Sequence, residues 1–498
     1  MAIGAIRGHR YPITMNRILL PALIVFTFSS FSTAAITSVV VGVDKVTITG
    51  NAAQIQVPAP PLLREVLPHG ELSESIPYQN QRGTFEAVIP RRTASGYDRI
   101  YSSWALGGAL PVYATDVSEA AAHPGLKPMV AKNRKGVGGI HPAPELFPDL
   151  VELGVGHITV NILLRQKFSQ GQVQSLDRLL TFAHENGIVV SAILLVPPRT
   201  PVLAHPDCDP AAQYALPDMT SAAGAEAFAG CVRYLAERYC KPGFPHGRIS
   251  HWIVGNEVDA GWVWTNAGEK TASDYMDEYQ RALRVAYYSV RSFDPHGRVF
   301  ISLTHHWNSS HQPDPKRFYK PRHLLNLLNE HSGQCGDFEW GVAFHPYPDD
   351  LFNPRTWEDK KAHANFDTPL ITMKNIEQLD LFLRQPPFLY RGKTVRSVLL
   401  SEQGYHTANR KPDAEKLQAA AIVYAWRNMK PLESIEAFHY HRWIDHEREG
   451  GLNLGLWTVR KGTETWPERK KQSWRVFQAL GTPAEAKASA FANEFFKE

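Results

Sequence analysis

Residues 249–257 read Ile249-Ser250-His251-Trp252-Ile253-Val254-Gly255-Asn256-Glu257, an apolar run that stops at a glutamate. Residues 397–405 repeat the design as Ser397-Val398-Leu399-Leu400-Ser401-Glu402-Gln403-Gly404-Tyr405. Each has the length and the aliphatic, β-branched content of a buried strand. A carboxylate at the end of such a strand costs free energy unless it is paired or used.

The surrounding sequence keeps a steady rhythm. From about Gly136, apolar β-branched runs alternate with longer helical patterns, which argues for βαβ units in a parallel sheet. The predicted strands are Gly136–Ile140, His157–Leu164, Val189–Val196, Ile249–Asn256, Val299–Thr304, Trp340–His345, Ser397–Ser401 and Ile435–His439. Predicted helices between them include Ala143–Leu153, Ala223–Cys240, Ala272–Phe293 and Ala414–Met429, with a last one from about Glu464 to Leu480. Eight repeats are what a closed (β/α)8 TIM barrel of the α/β class requires. Glycines 136, 138 and 139 make the first strand poor strand material. It is counted because a helical pattern follows it. A doubly wound open sheet is the alternative, but no G-x-G-x-x-G loop follows the first strand.

The expected organisation is a signal peptide at 1–34, a β-rich N-terminal region at 35–135, the barrel at 136–481 and a C-terminal tail at 482–498 with a short surface helix. In the first segment Arg7, Arg10 and Arg17 precede an apolar run from Ile18 to Phe31, and Ser32-Thr33-Ala34 suits cleavage. The run is short for a membrane span, so secretion or periplasmic export is expected, without stable membrane insertion. Losing this segment removes three arginines and no acid, and takes the formal charge from +4 to +1. Nothing there suggests a nucleic-acid footprint. In the β-rich region, Ser38–Val43, Lys45–Thr49, Gln54–Val57 and Phe85–Ile89 read as strands, and Ala114–Lys135 reads as a long connection. Cys208, Cys231, Cys240 and Cys335 are too few for a disulfide scaffold, though export permits one or two bridges. No C-x-x-C occurs, so a thiolate zinc site has no support.

In a barrel of this kind, functional groups project from the C-terminal ends of the strands. Glu257 ends the fourth and Glu402 lies at the end of the seventh, on facing walls. Their ends can converge on one sugar. Glycosidases that retain anomeric configuration need two carboxyl groups about 5–5.5 Å apart, one as nucleophile and one as acid and then base. His305-His306-Trp307 closes the fifth strand; His305 and Trp307 are candidates for the cleft, since adjacent residues on a strand point opposite ways. Asp259, Trp262 and Trp264 follow Glu257 on one loop, where they either form a subsite or brace the loop.

Taken in barrel order, Asn256-Glu257, His345-Pro346-Tyr347, Glu402 and Trp443 resemble clan A of the glycoside hydrolases, over about residues 136–480. Within it the chain is similar to uncharacterised bacterial families with a β-rich N-terminal segment. The resemblance implies Glu257 as acid/base and Glu402 as nucleophile, with Asn256 on the sugar 2-hydroxyl. It implies His345 or Tyr347 as the residue that orients the nucleophile, and Trp443 as the ring stacked at the cleavage point. Many clan members carry a basic residue near the end of strand one or two; here Asn161 or Arg165 stands in that region.

The expected activity is hydrolysis of an O-glycosidic bond in a polysaccharide or oligosaccharide, with a carbohydrate substrate and no cofactor. One rival is a carbohydrate-binding barrel that has lost turnover. Another is a metal-dependent hydrolase built on His305, His345 and a carboxylate, although ligand spacing with a third partner is absent.

Overall fold

Short runs of Val, Ile and Thr separated by Gly, Pro and Asn pair with their neighbours in antiparallel fashion. The computed structural model describes residues 34–51, 61–81, 83–409 and 411–496. The expected signal peptide (Ala34 apart) and the strand expected at Gln54–Val57 lie outside those residues. The N-terminal strands are β1 (Ala35–Val41), β2 (Lys45–Asn51), β3 (Leu63–Val66), β4 (Leu72–Ile76), β5 (Gln79–Gln81), β6 (Thr84–Pro90), β7 (Ser103–Leu106) and β8 (Val112–Tyr113). They form two four-stranded sheets, ordered β1-β2-β6-β5 and β4-β3-β7-β8.

The barrel strands are β9 (Lys135–Val137), β10 (His157–Leu163), β11 (Val189–Leu195), β12 (His251–Val254), β13 (Arg298–Thr304), β14 (Trp340–His345), β15 (Val398–Gln403) and β16 (Ile435–Tyr440). All eight are parallel and close in chain order, with β9 pairing both β10 and β16. The chain is thus a (β/α)8 barrel preceded by a β-rich region. Its helices are α1 (Pro148–Leu153), α2 (Gln170–Glu185), α3 (Ala222–Tyr239), α4 (Gly261–Trp264), α5 (Ala272–Arg291), α6 (Pro321–Cys335), α7 (Glu377–Leu383), α8 (Pro412–Met429), α9 (Gln472–Ala479) and α10 (Glu485–Ser489). Local chemistry sets their starts. Ser221 accepts from Gly224 N at the head of α3, Thr271 accepts from Asp274 N at the head of α5, and prolines open α6 and α8.

Three local expectations change. The first barrel strand stops at Val137, because Gly139 turns the chain at φ +65°. The segment read as a helix from Glu464 opens instead with a hairpin strand: β17 (Trp457–Val459) pairs antiparallel with β18 (Pro467–Lys470), and only Gln472–Ala479 is helical. The four cysteines are free thiols, so neither bridge forms. Among the described residues, no helix is long and apolar enough to cross a membrane.

Inside the barrel the alternation of strand residues builds layers. Ile193, Leu195, Ile253, Phe300, Ala343, Leu399 and Ala437 form an apolar layer. Beneath it lies a polar floor of His157, His251 and His439, with Arg298 paired to Glu436 and Ser191 bonded to His251 Nδ1 at 3.0 Å. The β-rich region docks on α5. Tyr101 meets Ser289 at 3.1 Å, Tyr288 donates to the Ala114 carbonyl at 3.1 Å, and the Arg284 guanidinium lies 4.3 Å from the Tyr113 ring centre.

Candidate active site

The chain leaves β12 through a tight left-handed turn. Gly255 has φ +73°, and a Cβ there would come within 2.9 Å of Thr265 Oγ1. Asn256 is tied by its main chain: its N–H donates to Thr265 Oγ1 at 3.2 Å, and its carbonyl accepts from that hydroxyl at 2.8 Å. Glu257 itself stands at φ 41° and ψ 57°, a region that side chains other than glycine seldom adopt. Its N–H donates to Ser302 Oγ on β13 at 3.0 Å. The Glu257 side chain retains 16% exposure.

His345 ends β14 and is fully buried, with Nδ1 at 2.8 Å from Glu257 Oε1 and Nε2 at 3.5 Å from Ser302 Oγ. Burial pushes its imidazole down, but the carboxylates of Glu402, Glu257 and Asp259 outweigh that and leave it raised. Two residues on, Tyr347 donates its hydroxyl to Glu402 Oε1 at 2.7 Å. Burial and the Glu402 carboxylate hold the Tyr347 phenol well above the usual range, so it remains a donor. Burial alone would raise Glu402. The neighbouring His441 and His345, the Tyr347 bond and Arg442 reverse this and hold the carboxyl below its ordinary value. The tripeptide His345-Pro346-Tyr347 therefore serves two carboxylates, His345 holding Glu257 and Tyr347 holding Glu402.

The loop after β16 completes the surroundings of Glu402. His441 Nε2 lies 2.8 Å from Glu449 Oε1, and Arg442 Nη1 lies 3.4 Å from Glu449 Oε2. Gly404, two residues past Glu402, is obligatory: a Cβ there would lie 1.8 Å from the His441 carbonyl oxygen. The sequence offered no signal for His441, Arg442 or Glu449 as neighbours of Glu402, because loop residues carry no periodicity. Ser302 was equally hidden inside its strand.

The other sequence candidates fall in different places. Asn161 shares the inward face of β10 with the register of Ile193 and is exposed at the barrel mouth. His305 and His306 follow the end of β13, so strand alternation does not separate them; their rings lie 4.7 Å apart. Burial and the neighbouring histidines push His305 down to about 3, which makes it a neutral imidazole beside His345. Trp307 departs from expectation. It is 0% exposed, donates to the Phe366 carbonyl at 3.0 Å and packs edge-on against Phe382. Trp443 departs likewise, at 1% exposed, with Nε1 donating to Asp149 Oδ2 at 2.7 Å. The same Asp149 oxygen accepts from Trp457 at 2.9 Å and Trp474 at 3.2 Å. Both indoles need a buried partner for their N–H, and finding one turned them into the wall; neither offers a face to a sugar. Trp262 and Trp264 remain half-buried beyond Glu257, with the Arg317 guanidinium 4.0 Å from the Trp262 ring. Among the described residues, no group of three or more His, Cys, Asp or Glu side chains is disposed to hold a metal ion.

Residues 129–496 match the model of a family of unknown function (DUF5722), and the chain belongs to that family. Comparison with curated protein sequences finds no match. Among solved structures the chain is similar to a family 39 glycoside hydrolase from the gut symbiont Bacteroides cellulosilyticus WH2. The TM-score is 0.49 and the identity 14%, covering 91% of this chain and 83% of that one. It is similar also to a family 1 β-glucosidase from Thermotoga maritima, at TM-score 0.44 and 14% identity over 69% of this chain and 86% of that one. An exo-β-1,4-mannosidase from Opitutaceae bacterium strain TAV5 aligns at TM-score 0.44 and 16% identity, over 72% of this chain and 60% of that one.

Proposed function

We propose that the protein is a glycoside hydrolase that cleaves O-glycosidic bonds in an extracytoplasmic oligosaccharide or polysaccharide with retention of configuration. The carrying observation is the pair of glutamates held by one strand end, Glu257 on His345 and Glu402 on Tyr347. Their environments differ. Glu402 is held as a carboxylate by neighbouring basic side chains and a phenol. Glu257 rests on the His345 imidazole and keeps a partly exposed side chain.

The chemistry follows. A Glu402 oxygen attacks the anomeric carbon as the bond from that carbon to the leaving oxygen breaks. Glu257 gives its proton to the leaving oxygen. The resulting glycosyl ester on Glu402 is attacked by water, whose proton passes to Glu257, and Glu402 departs as a carboxylate. Asn256 and Asn161 line the approach to the sugar, and His305 supplies a neutral imidazole beyond His345. The N-terminal apolar segment supports export.

The test is a panel of aryl β- and α-glycosides and of polysaccharides, run with wild type, Glu402→Gln and Glu257→Gln. Turnover by wild type that drops at least about a thousandfold in Glu402→Gln supports the reading. Hydrolysis that survives that substitution undiminished sinks it. Anomeric NMR of the first-formed product decides retention.

A further inference from the structure

Asp259 is fully buried two residues past Glu257, and the displacement chemistry above gives it no task. Its oxygens accept from Thr304, from the N–H at 2.9 Å and the hydroxyl at 2.6 Å. Thr304 closes β13, and Ser302 on the same strand takes the Glu257 N–H. The left-handed turn carrying Glu257 is thus fastened to β13 on both sides. An asparagine could accept from Thr304 too, so the clamp alone does not explain a buried acid. Among the described residues no lysine or arginine forms an ion pair with it, and an unpaired buried carboxylate is costly.

The missing reason lies across Glu257. His345, a raised imidazole, is bonded to the residue that must donate a proton. A cation at 2.8 Å by itself favours the ionised acid, which is the wrong form for the first step. We propose that Asp259 is a positioning and charge-balancing residue for Glu257, clamping its turn to β13 and offsetting the His345 cation so that Glu257 keeps its proton until the glycosidic oxygen takes it. Once that proton has left, two adjacent carboxylates face each other, which drives Glu257 to take a proton back from water in the second step.

Burial, opposed by the Thr304 bonds and aided by the charge of Glu257, pushes Asp259 up to about 7, so its charge is adjustable in the working range. The groups facing it are Glu257 from its own turn, Thr304 from β13, His345 from β14 and Tyr275 from α5. Glu257 in turn is faced by His345, Tyr347 and Asp259.

The inference rests on the glycosidase reading, and its test separates the two. Wild type, Asp259→Asn and Thr304→Val are compared in two assays. The first follows the His345 ring by NMR titration and needs no substrate. In Asp259→Asn the ring titrates about 1 pH unit lower or more. Thr304→Val, which removes a hydroxyl bond that favours the ionised form of Asp259, gives the same change at smaller size and serves if Asp259→Asn does not fold. The second compares a phenyl glycoside, whose leaving group needs an acid, with a 2,4-dinitrophenyl glycoside, whose leaving group does not. Asp259→Asn slows the phenyl substrate at least about tenfold more than the dinitrophenyl one. Its alkaline limb of kcat/KM on the phenyl substrate also moves to lower pH. An unmoved His345 titration, or equal losses on both substrates, overturns the proposal. Wild type inactive on both refutes the glycosidase reading, while the NMR result still decides the charge balance.

Discussion

Replacing Tyr347 by phenylalanine removes one atom from the site and exposes the electrostatic logic around Glu402. The hydroxyl donates to Glu402 Oε1 at 2.7 Å, and Tyr347 is only 8% exposed. A hydrogen bond to a charged acceptor is worth about 1.5–3 kcal/mol. It strengthens with the negative charge on the acceptor, so most of that value separates the carboxylate from the carboxylic acid. At about 1.36 kcal/mol per pH unit, Tyr347→Phe raises the Glu402 carboxyl by about 1–2 pH units. His441, His345 and Arg442 still oppose the rise, while burial favours it. A protonated Glu402 cannot attack, so the acid limb of kcat/KM moves to higher pH by that amount. Below the limb the variant is about 10–100-fold slower than wild type at a given pH, and the gap narrows above it. The assay is initial rates on an aryl glycoside from about pH 4 to 9. A uniform loss at every pH, with the limb unmoved, would refute the reasoning and reduce Tyr347 to a packing residue.

Three further outcomes are expected. His157 is held neutral in the barrel floor, its imidazole pushed by burial down to about 4. A histidine with a depressed folded value stabilises fully above its unfolded value and loses that contribution as pH falls, so about 3 kcal/mol disappears between about pH 6.5 and 4; urea midpoints should fall less steeply with acid in His157→Gln, and identical slopes would contradict this. Trp443→Ala leaves a cavity and takes one of three indole donors from the Asp149 carboxylate, which costs about 3–5 kcal/mol of stability with KM unchanged in the folded fraction; a raised KM at unchanged melting temperature would restore it to the cleft. Gly404→Ala drives a methyl into the His441 carbonyl, so soluble protein should lose both thermal stability and turnover, and a normal melting curve would show that the β15–β16 ends can part.

Much of this was legible because the barrel strands after the first are short, mostly apolar and mostly buried runs, which need no partner to be recognised. Glu257 and Glu402 stood out because each follows such a run with a charge. The hairpin β17–β18 escaped because strands of three and four residues are too short to show a period, and polar Glu468, Arg469 and Lys470 mimic a helix surface. Trp443 and Trp307 were misplaced for another reason. Burial of an indole is decided by where its N–H finds an acceptor, and for Trp443 that acceptor is Asp149, 294 residues away. The choice between His345 and Tyr347 was likewise a matter of geometry: one strand end reaches two walls of the barrel, and each residue took a different glutamate.

In the proposed double displacement Glu402 becomes covalently bonded to the sugar. The direct measurement is intact-protein and peptide mass spectrometry after incubation with a 2-deoxy-2-fluoro aryl glycoside of the sugar that the substrate panel identifies. A single glycosyl adduct is expected on the peptide carrying Glu402, absent in Glu402→Gln and formed in Glu257→Gln with a dinitrophenyl leaving group. An adduct on another residue, or turnover of the natural bond with inverted product, would contradict it.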